Sequence, residues 1–334
     1  MHMPPSRPRP AVLSIIGPGR SGTTVLARIL GEVPGVADAG ELHWEWQRGI
    51  LEQRPCGCGR SRRECPVWSR VVRQALGVQP GPGAADDIDS AARELVHLQA
   101  ETYRRRHLVQ VLRSATSRAT DRVALQRLRD VTAGLCSGLA EITGAGVVLD
   151  TSKWAQDAAI LAGVPDLDHY VLHMVRDPRA VAHSWRRAKP RPSATGMTTM
   201  ATRRLPVSIE RWTENCLTVE ALRRFLPSER WLFLRYEDFA AQPRASVQRI
   251  LDFLGLPAEN PIRPDGTVNL GPSHTVAGNP DRFRSGEVRI VADEEWRRRM
   301  PRRDQVLAGL VTAPLLRRYG YPVIPRWNGG PRVG

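Results

Sequence analysis

The stretch VLSIIGPGRSGTTVLARIL, residues 12–30, decides the reading of this chain. Residues 12–16 are a short continuous apolar run rich in β-branched side chains, the mark of a buried strand. Glycines follow at 17, 19 and 22, and residues 24–30 take up a helical pattern. Strand, tight turn and helix together aim backbone N–H groups inward and add the partial positive charge of a helix N-terminus. The segment from Gly17 to Thr24 is therefore expected to hold a phosphate or a group of like shape. Against the pattern G-x-x-x-x-G-K-[ST] it keeps Gly17, Gly22 and Thr24 but has Thr23 where the lysine of nucleoside-triphosphate loops stands. The loop's cation comes earlier, as Arg20, whose guanidinium can reach a bridging or terminal oxygen.

Outward from this loop, strand-like and helix-like segments alternate. A second short segment covers residues 35–41, and the cysteine-rich loop then breaks regular structure to about residue 66. Residues 67–75 are helical in pattern, residues 77–84 are Pro/Gly punctuation, and longer helical stretches follow at 88–112 and 121–142. Strand candidates at 147–150, 170–175 and 231–236 each precede a helix candidate, at 154–163, 178–187 and 243–254. Apolar strands alternating with helices predict an α/β fold of P-loop type in three layers, a central parallel sheet flanked by helices. The block at about 67–142 interrupts the alternation and reads as a helical insertion or cap. Residues 1–325 are expected to form one domain, and 326–334 a loose C-terminal tail.

Composition sets the broad class. With 41% hydrophobic and 25% charged residues the chain is globular, and no apolar run approaches the roughly 20 residues a bilayer span needs. Residues 1–10 carry no apolar h-region, so the expected place is the cytoplasm, without membrane attachment. The formal charge of +15 predicts an electropositive surface that attracts anions. Because the basic residues are spread along the chain, no specific nucleic-acid partner is expected. Five cysteines suit no disulfide framework, and three of them, Cys56, Cys58 and Cys65, crowd into CGCGRSRREC. A zinc site would want a fourth ligand, for which His43 is a candidate. A local disulfide or reduced thiols are the favoured readings, and no metal is assigned.

GRSGTT at 19–24 and VRDPRAVAHS at 175–184 together resemble the nucleotide-phosphosulfate-dependent sulfotransferases, above all their bacterial, Golgi carbohydrate and tyrosylprotein branches. DTSK at 150–153 and HTVAGNPDRF at 274–283 are similar to further segments of that family, and the likeness spans roughly residues 12–285. The resemblance implies a donor, 3′-phosphoadenosine 5′-phosphosulfate (PAPS), with its 5′-phosphosulfate on Gly19, Arg20, Ser21, Gly22, Thr23 and Thr24. It implies a 3′-phosphate on Arg176 and Ser184, and a late donor loop with Gly278, Asn279 and Arg282. No metal is required in such a scheme. Cytosolic small-molecule members carry lysine where this chain has Arg20, which sets it apart from their kind of acceptor.

Part of this stands without the family. Arg176 ends a strand candidate at the carboxyl edge where ligands lie in such sheets, and Asp177 and Pro178 can start the following helix. An arginine and a hydroxyl suit a phosphate dianion. For catalysis, Arg20 would stabilise the leaving phosphate, Lys153 the transferring sulfonate, and Glu41 would take the acceptor's proton, with His43 and Glu45 as rivals. Glu237 and Asp238 read as caps, and Trp212 and Asn215 as helix-packing residues. A kinase remains the second reading, since VVLD at 147–150 could carry a metal-binding Asp150. A non-catalytic nucleic-acid binder is the third. The acceptor is expected to be a hydroxyl of a small molecule or carbohydrate, in a pocket shaped by residues 67–142 and 190–206, and the oligomeric state is not legible.

Overall fold

The structure, a computed structural model, describes residues 9–117, 122–188, 190–193 and 196–325. Residues 1–8, the predicted tail at 326–334 and the predicted helix start at residue 121 lie outside the described residues. In chain order the first half comprises β1 (Ala11–Ile16), α1 (Thr23–Leu30), β2 (Val36–Gly40), α2 (Trp68–Leu76), α3 (Ala84–Thr102), α4 (Leu108–Arg113), α5 (Val123–Thr143) and β3 (Val147–Lys153). There follow α6 (Ala155–Ala162), β4 (Asp168–Val175), α7 (Pro178–Arg186), a short hairpin of β5 (Pro190–Ser193) and β6 (Gly196–Thr199), and α8 (Leu205–Arg223). The chain continues through β7 (Trp231–Arg235), α9 (Tyr236–Ala241), α10 (Pro243–Phe253), a second hairpin of β8 (Thr267–Leu270) and β9 (Gly286–Arg289), and C-terminal helices from Glu295 to Arg318.

Five strands form one parallel sheet in the order β2-β3-β1-β4-β7, with β1 at its centre. Alternation along β1 sorts the two faces, because successive side chains of a strand point to opposite sides. Leu13 and Ile15 enter an apolar cluster with Leu26, Ile29 and Leu30 of α1 and Val247, Ile250 and Leu251 of α10. Val12 and Ile16 enter the opposite cluster with Trp68, Val71 and Val72 of α2, Leu128 and Leu135 of α5, and Ala158 and Leu161 of α6. The sheet covered on both faces is the predicted three-layer arrangement. Because α5 packs against β2 and β3, the insertion forms part of one helical layer rather than standing off as a separate cap.

The predicted helix at 88–112 is divided. α3 stops at Thr102, Arg104 is extended (φ −61°, ψ 140°), and α4 begins at Leu108. Arg104 to Arg106 offer no apolar side chain to continue the stripe of α3, and Tyr103 turns inward, its hydroxyl donating to Asp157. β3 runs three residues past the predicted end, so that Lys153 is carried to the edge of the sheet. Among the described residues, no helix is long and apolar enough to cross a membrane.

Candidate functional site

β1, β3 and β4 are parallel, so their carboxyl ends share one edge, and the turn at 17–22, Lys153 and Arg176 all follow from those ends. Gly22 is the N-cap of α1 in the left-handed region (φ 86°), without a side-chain cap bond. A Cβ there would lie 2.7 Å from the Tyr236 ring, so only glycine fits. The first N–H groups of α1 lack partners within the helix. Beside them Ser21 is fully buried with its Oγ unpartnered, and Nε and Nη1 of Arg20 are also sealed from solvent without a partner. Buried donors in this state are costly unless a ligand satisfies them. Arg20 lies over the Trp185 ring at 4.6 Å, and Arg203 lies over the same ring at 3.7 Å. Burial lowers the pKa of Arg20; Asp281 opposes this, and the like charges of Arg187 and Arg203 add to it. An anion at this point would relieve all of that.

The loop opens onto a cavity of about 600 Å³ that is also lined by Glu41, Lys153, Gly278 and Asn279. The Lys153 ammonium donates to Glu41 Oε1 and, at 3.1 Å, to the carbonyl of Thr151. Glu41 sits where β2 ends, and its backbone N–H donates to Val276 O at 3.1 Å, tying it to the segment that carries Gly278. A Cβ placed on Gly278 would be 3.5 Å from Glu41 Oε1 and 3.6 Å from Thr24 Oγ1, so the late loop closes against both. Among the described residues four non-glycines adopt positive φ; Arg20 and Lys153 of these line this cavity, and Ala277 precedes the lining residue Gly278. Such backbone costs about 1–3 kcal/mol per residue and gathers where geometry serves a site. The insertion adds to the wall through Tyr103, Arg105 and Leu108, as do α6, α7 and α8.

Arg176 leaves the end of β4 with 5% exposure. It lies over the Tyr236 ring at 4.2 Å, and it donates to Arg20 O at 3.2 Å and Asp293 O at 2.7 Å. The Asp293 carboxylate is 3.3 Å from it and 2.7 Å from Arg187. An internal carboxylate thus occupies the two guanidinium groups. Ser184 is buried on α7, two turns beyond.

A sulfotransferase family model matches residues 12–260. The chain belongs to the sulfotransferase family. Solved sulfotransferase structures share its fold. A sulfotransferase domain from the olefin synthase of Synechococcus PCC 7002 aligns with TM-score 0.53 at 20% identity, over 97% of this chain and 100% of that one. A sulfotransferase domain from the curacin biosynthetic pathway aligns with TM-score 0.50 at 15% identity, over 95% and 99% of the two chains. No curated protein sequence matches the chain.

Several residues of the sulfotransferase lie elsewhere than the sequence suggests. Arg282 does not line the cavity: it is buried, its guanidinium donates to Thr275 O at 2.6 Å and Pro55 O at 2.7 Å, and burial pulls its pKa down to about 10. Trp212 and Asn215, read as packing residues, line the cavity and hold its floor, donating to the carbonyls of Arg176 at 2.9 Å and Lys153 at 3.0 Å. Of the three base candidates, Glu41 lines the cavity and the other two do not. His43 is turned to Asp157 at 3.1 Å, between the rings of Trp154 and Tyr103. Glu45 is fully buried and bonded to Arg62 at 2.6 Å. Asp150 accepts from the backbone N–H groups of Leu42 at 3.2 Å and Ser152 at 3.0 Å. These bonds make it the holder of a turn, and burial and then Asp157 push its carboxyl up to about 7. Glu237 accepts from Asp177 N at 3.1 Å and so braces the residue whose side chain caps α7. Trp185, Arg203, Tyr236 and Asp293 escaped the sequence reading, for no local pattern marks them.

Removing one partner of a fully buried ion pair strands the other charge. Glu45→Gln is therefore expected to destabilise the fold by about 3–5 kcal/mol, read by denaturant unfolding. If unfolding were unaffected while turnover collapsed, Glu45 would belong to the chemistry instead.

Proposed function

We propose that this sulfotransferase moves a sulfuryl group from PAPS to a hydroxyl of a small molecule or carbohydrate by in-line displacement, within one domain spanning residues 1–325. The observation that carries this reading is the pair of sealed, unpartnered donors on Arg20 in one cavity with the Glu41–Lys153 pair, with the unpartnered Ser21 hydroxyl buried in the same turn. The 5′-phosphosulfate lies on Gly19 to Thr24, with the α1 N–H groups on its oxygens. The acceptor oxygen attacks sulfur, the bond from sulfur to the bridging oxygen breaks, and adenosine 3′,5′-bisphosphate leaves. Arg20 meets the negative charge that develops on the leaving phosphate, Lys153 turns from Glu41 to the sulfonate, and Glu41 so released takes the acceptor proton. Fixed amides and these two cations supply the positive charge of the reaction, and no step calls on a divalent ion. Gly278 and Asn279 close over the donor from the late loop.

The 3′-phosphate is placed at Arg176 and Ser184, where it would displace Asp293 from Arg176. A hydrogen bond to a charged group contributes about 1.5–3 kcal/mol. Arg176→Ala is accordingly expected to weaken PAPS and the bisphosphate together by about ten- to a hundredfold, measured by calorimetry. Equal affinity in variant and parent would move the 3′-phosphate elsewhere.

An acceptor screen with labelled PAPS, run with and without added Mg²⁺, tests the function as a whole. Transfer is expected at the same rate in both. Binding of ATP with Mg²⁺ in preference to PAPS, with phosphoryl transfer, would replace the reading by a kinase.

A further inference from the structure

Three cysteines and one histidine that take no part in the cavity meet behind it. Cys56, Cys58 and Cys65 lie in the loop after β2, and His274 joins them from 209 residues beyond Cys65. Their four ligand atoms all lie within 4.8 Å of one another. Cys56 Sγ is 3.7 Å from Cys65 Sγ, and Cys65 Sγ is 3.2 Å from His274 Nδ1. A tetrahedral zinc ion with Zn–S of about 2.3 Å and Zn–N of about 2.0 Å sets its ligands roughly 3.5–3.8 Å apart. The sulfur pair stands at that spacing and far beyond the roughly 2.05 Å of a disulfide. We propose that Cys56, Cys58, Cys65 and His274 form a structural zinc site that clamps the late donor loop from behind.

Hydrogen-bond donors surround the sulfurs. The backbone N–H of Cys58 points to Cys56 Sγ, and those of Val67 and Trp68 point to Cys65 Sγ. The Arg62 guanidinium, buried over the Trp68 ring, lies 3.3 Å from Cys56 Sγ and is shared with Glu45. Arg282, also buried nearby, is bonded to carbonyl oxygens. The two guanidinium ions, Arg62 paired with Glu45 and Arg282 with Glu41 and Asp38 in its surroundings, place positive charge beside the sulfurs. A zinc ion with three thiolates and a neutral imidazole carries a net charge of minus one, which offsets it. Four protein ligands close the coordination sphere, the arrangement of a structural rather than a catalytic site.

The two segments are fitted to each other as well as to the metal. Gly57, between the first two cysteines, donates its N–H to Thr275 O at 3.0 Å, and a Cβ on it would fall 2.1 Å from Ser273 Oγ. Trp68 Nε1 donates to His274 O. Two residues after His274, Val276 bridges Gly40 and accepts from Glu41 N, and Gly278 and Asn279 then enter the cavity. The metal would therefore hold the late loop in register with the end of β2.

Full-length protein purified from zinc-supplied cells tests this by elemental analysis after desalting. One zinc per chain is expected, and chelation followed by Co²⁺ should give the intense ligand-field bands of a tetrahedral thiolate site. His274→Cys should keep the metal and His274→Ala should lose it. Hydrogen exchange over residues 271–283 should rise on chelation and fall when zinc is returned. A protein that folds with less than a tenth of an equivalent of metal and gives no cobalt spectrum would overturn the proposal. So would a Cys56–Cys65 disulfide in the unreduced mass. The readouts are metal content and exchange, so their failure leaves the donor reading standing, and the failure of the donor reading leaves them standing.

Discussion

Arg20→Ala is expected to lower kcat by about two to three orders of magnitude, the loss that follows removal of one preorganised donor from a site of developing charge. The side chain has few duties in the fold: its contacts are the Trp185 ring and the Met200 sulfur, at 3.4 Å from Nη2. Thermal unfolding should therefore move little. The reason for a kcat effect is that charge accumulates on the bridging and leaving oxygens as the S–O bond breaks, and the guanidinium is already desolvated against Trp185 to meet it. Arg20→Lys keeps the charge but gives up the planar stack and the fork of donors, so it should recover part of the loss. Steady-state kinetics with PAPS and any accepted hydroxyl, beside a melting curve, checks both. Unchanged kcat in the alanine variant would contradict the placement of the leaving group.

Glu41→Gln is expected to cut turnover by about two to four orders of magnitude while leaving bisphosphate affinity within about twofold, as befits loss of a general base. Glutamine keeps the shape and an acceptor oxygen for Lys153, so the contact that closes the site survives. The carboxylate is within 4.0 Å of Arg48 as well as bonded to Lys153. The limb of the pH–rate profile that reports ionisation of the base should disappear in the variant. Near-normal turnover would remove Glu41 from the reaction.

The loop was readable in advance because one short segment holds its whole cause. The apolar run of β1, the glycines and the start of α1 are local, and the parallel sheet follows from repeating that unit at β3, β4 and β7. The apolar pattern stops short of the C-terminal end of β3 because Thr151 and Ser152 are not apolar, although both are buried at the sheet edge. Residues that meet from distant parts of the chain were beyond reach. His43 stood near the cysteines in sequence, but the chain turns it to Asp157 and brings His274 to them instead. Trp212 and Asn215 have the spacing of ordinary helix-packing residues, and only the approach of α8 to the ends of β3 and β4 shows that they hold the site's backbone. The likeness of HTVAGNPDRF to a donor loop implies a donor contact for Arg282, yet its side chain turns back to Pro55.

A crystal soaked with adenosine 3′,5′-bisphosphate asks most directly whether one nucleotide spans the turn at Ser21 and the strand end at Arg176. The expected map shows the 5′-phosphate on Ser21 and the N–H groups of Gly22 to Thr24, and the 3′-phosphate on Arg176 with Asp293 displaced. A bisphosphate bound elsewhere, with Asp293 still on Arg176 and the turn unoccupied, would contradict it.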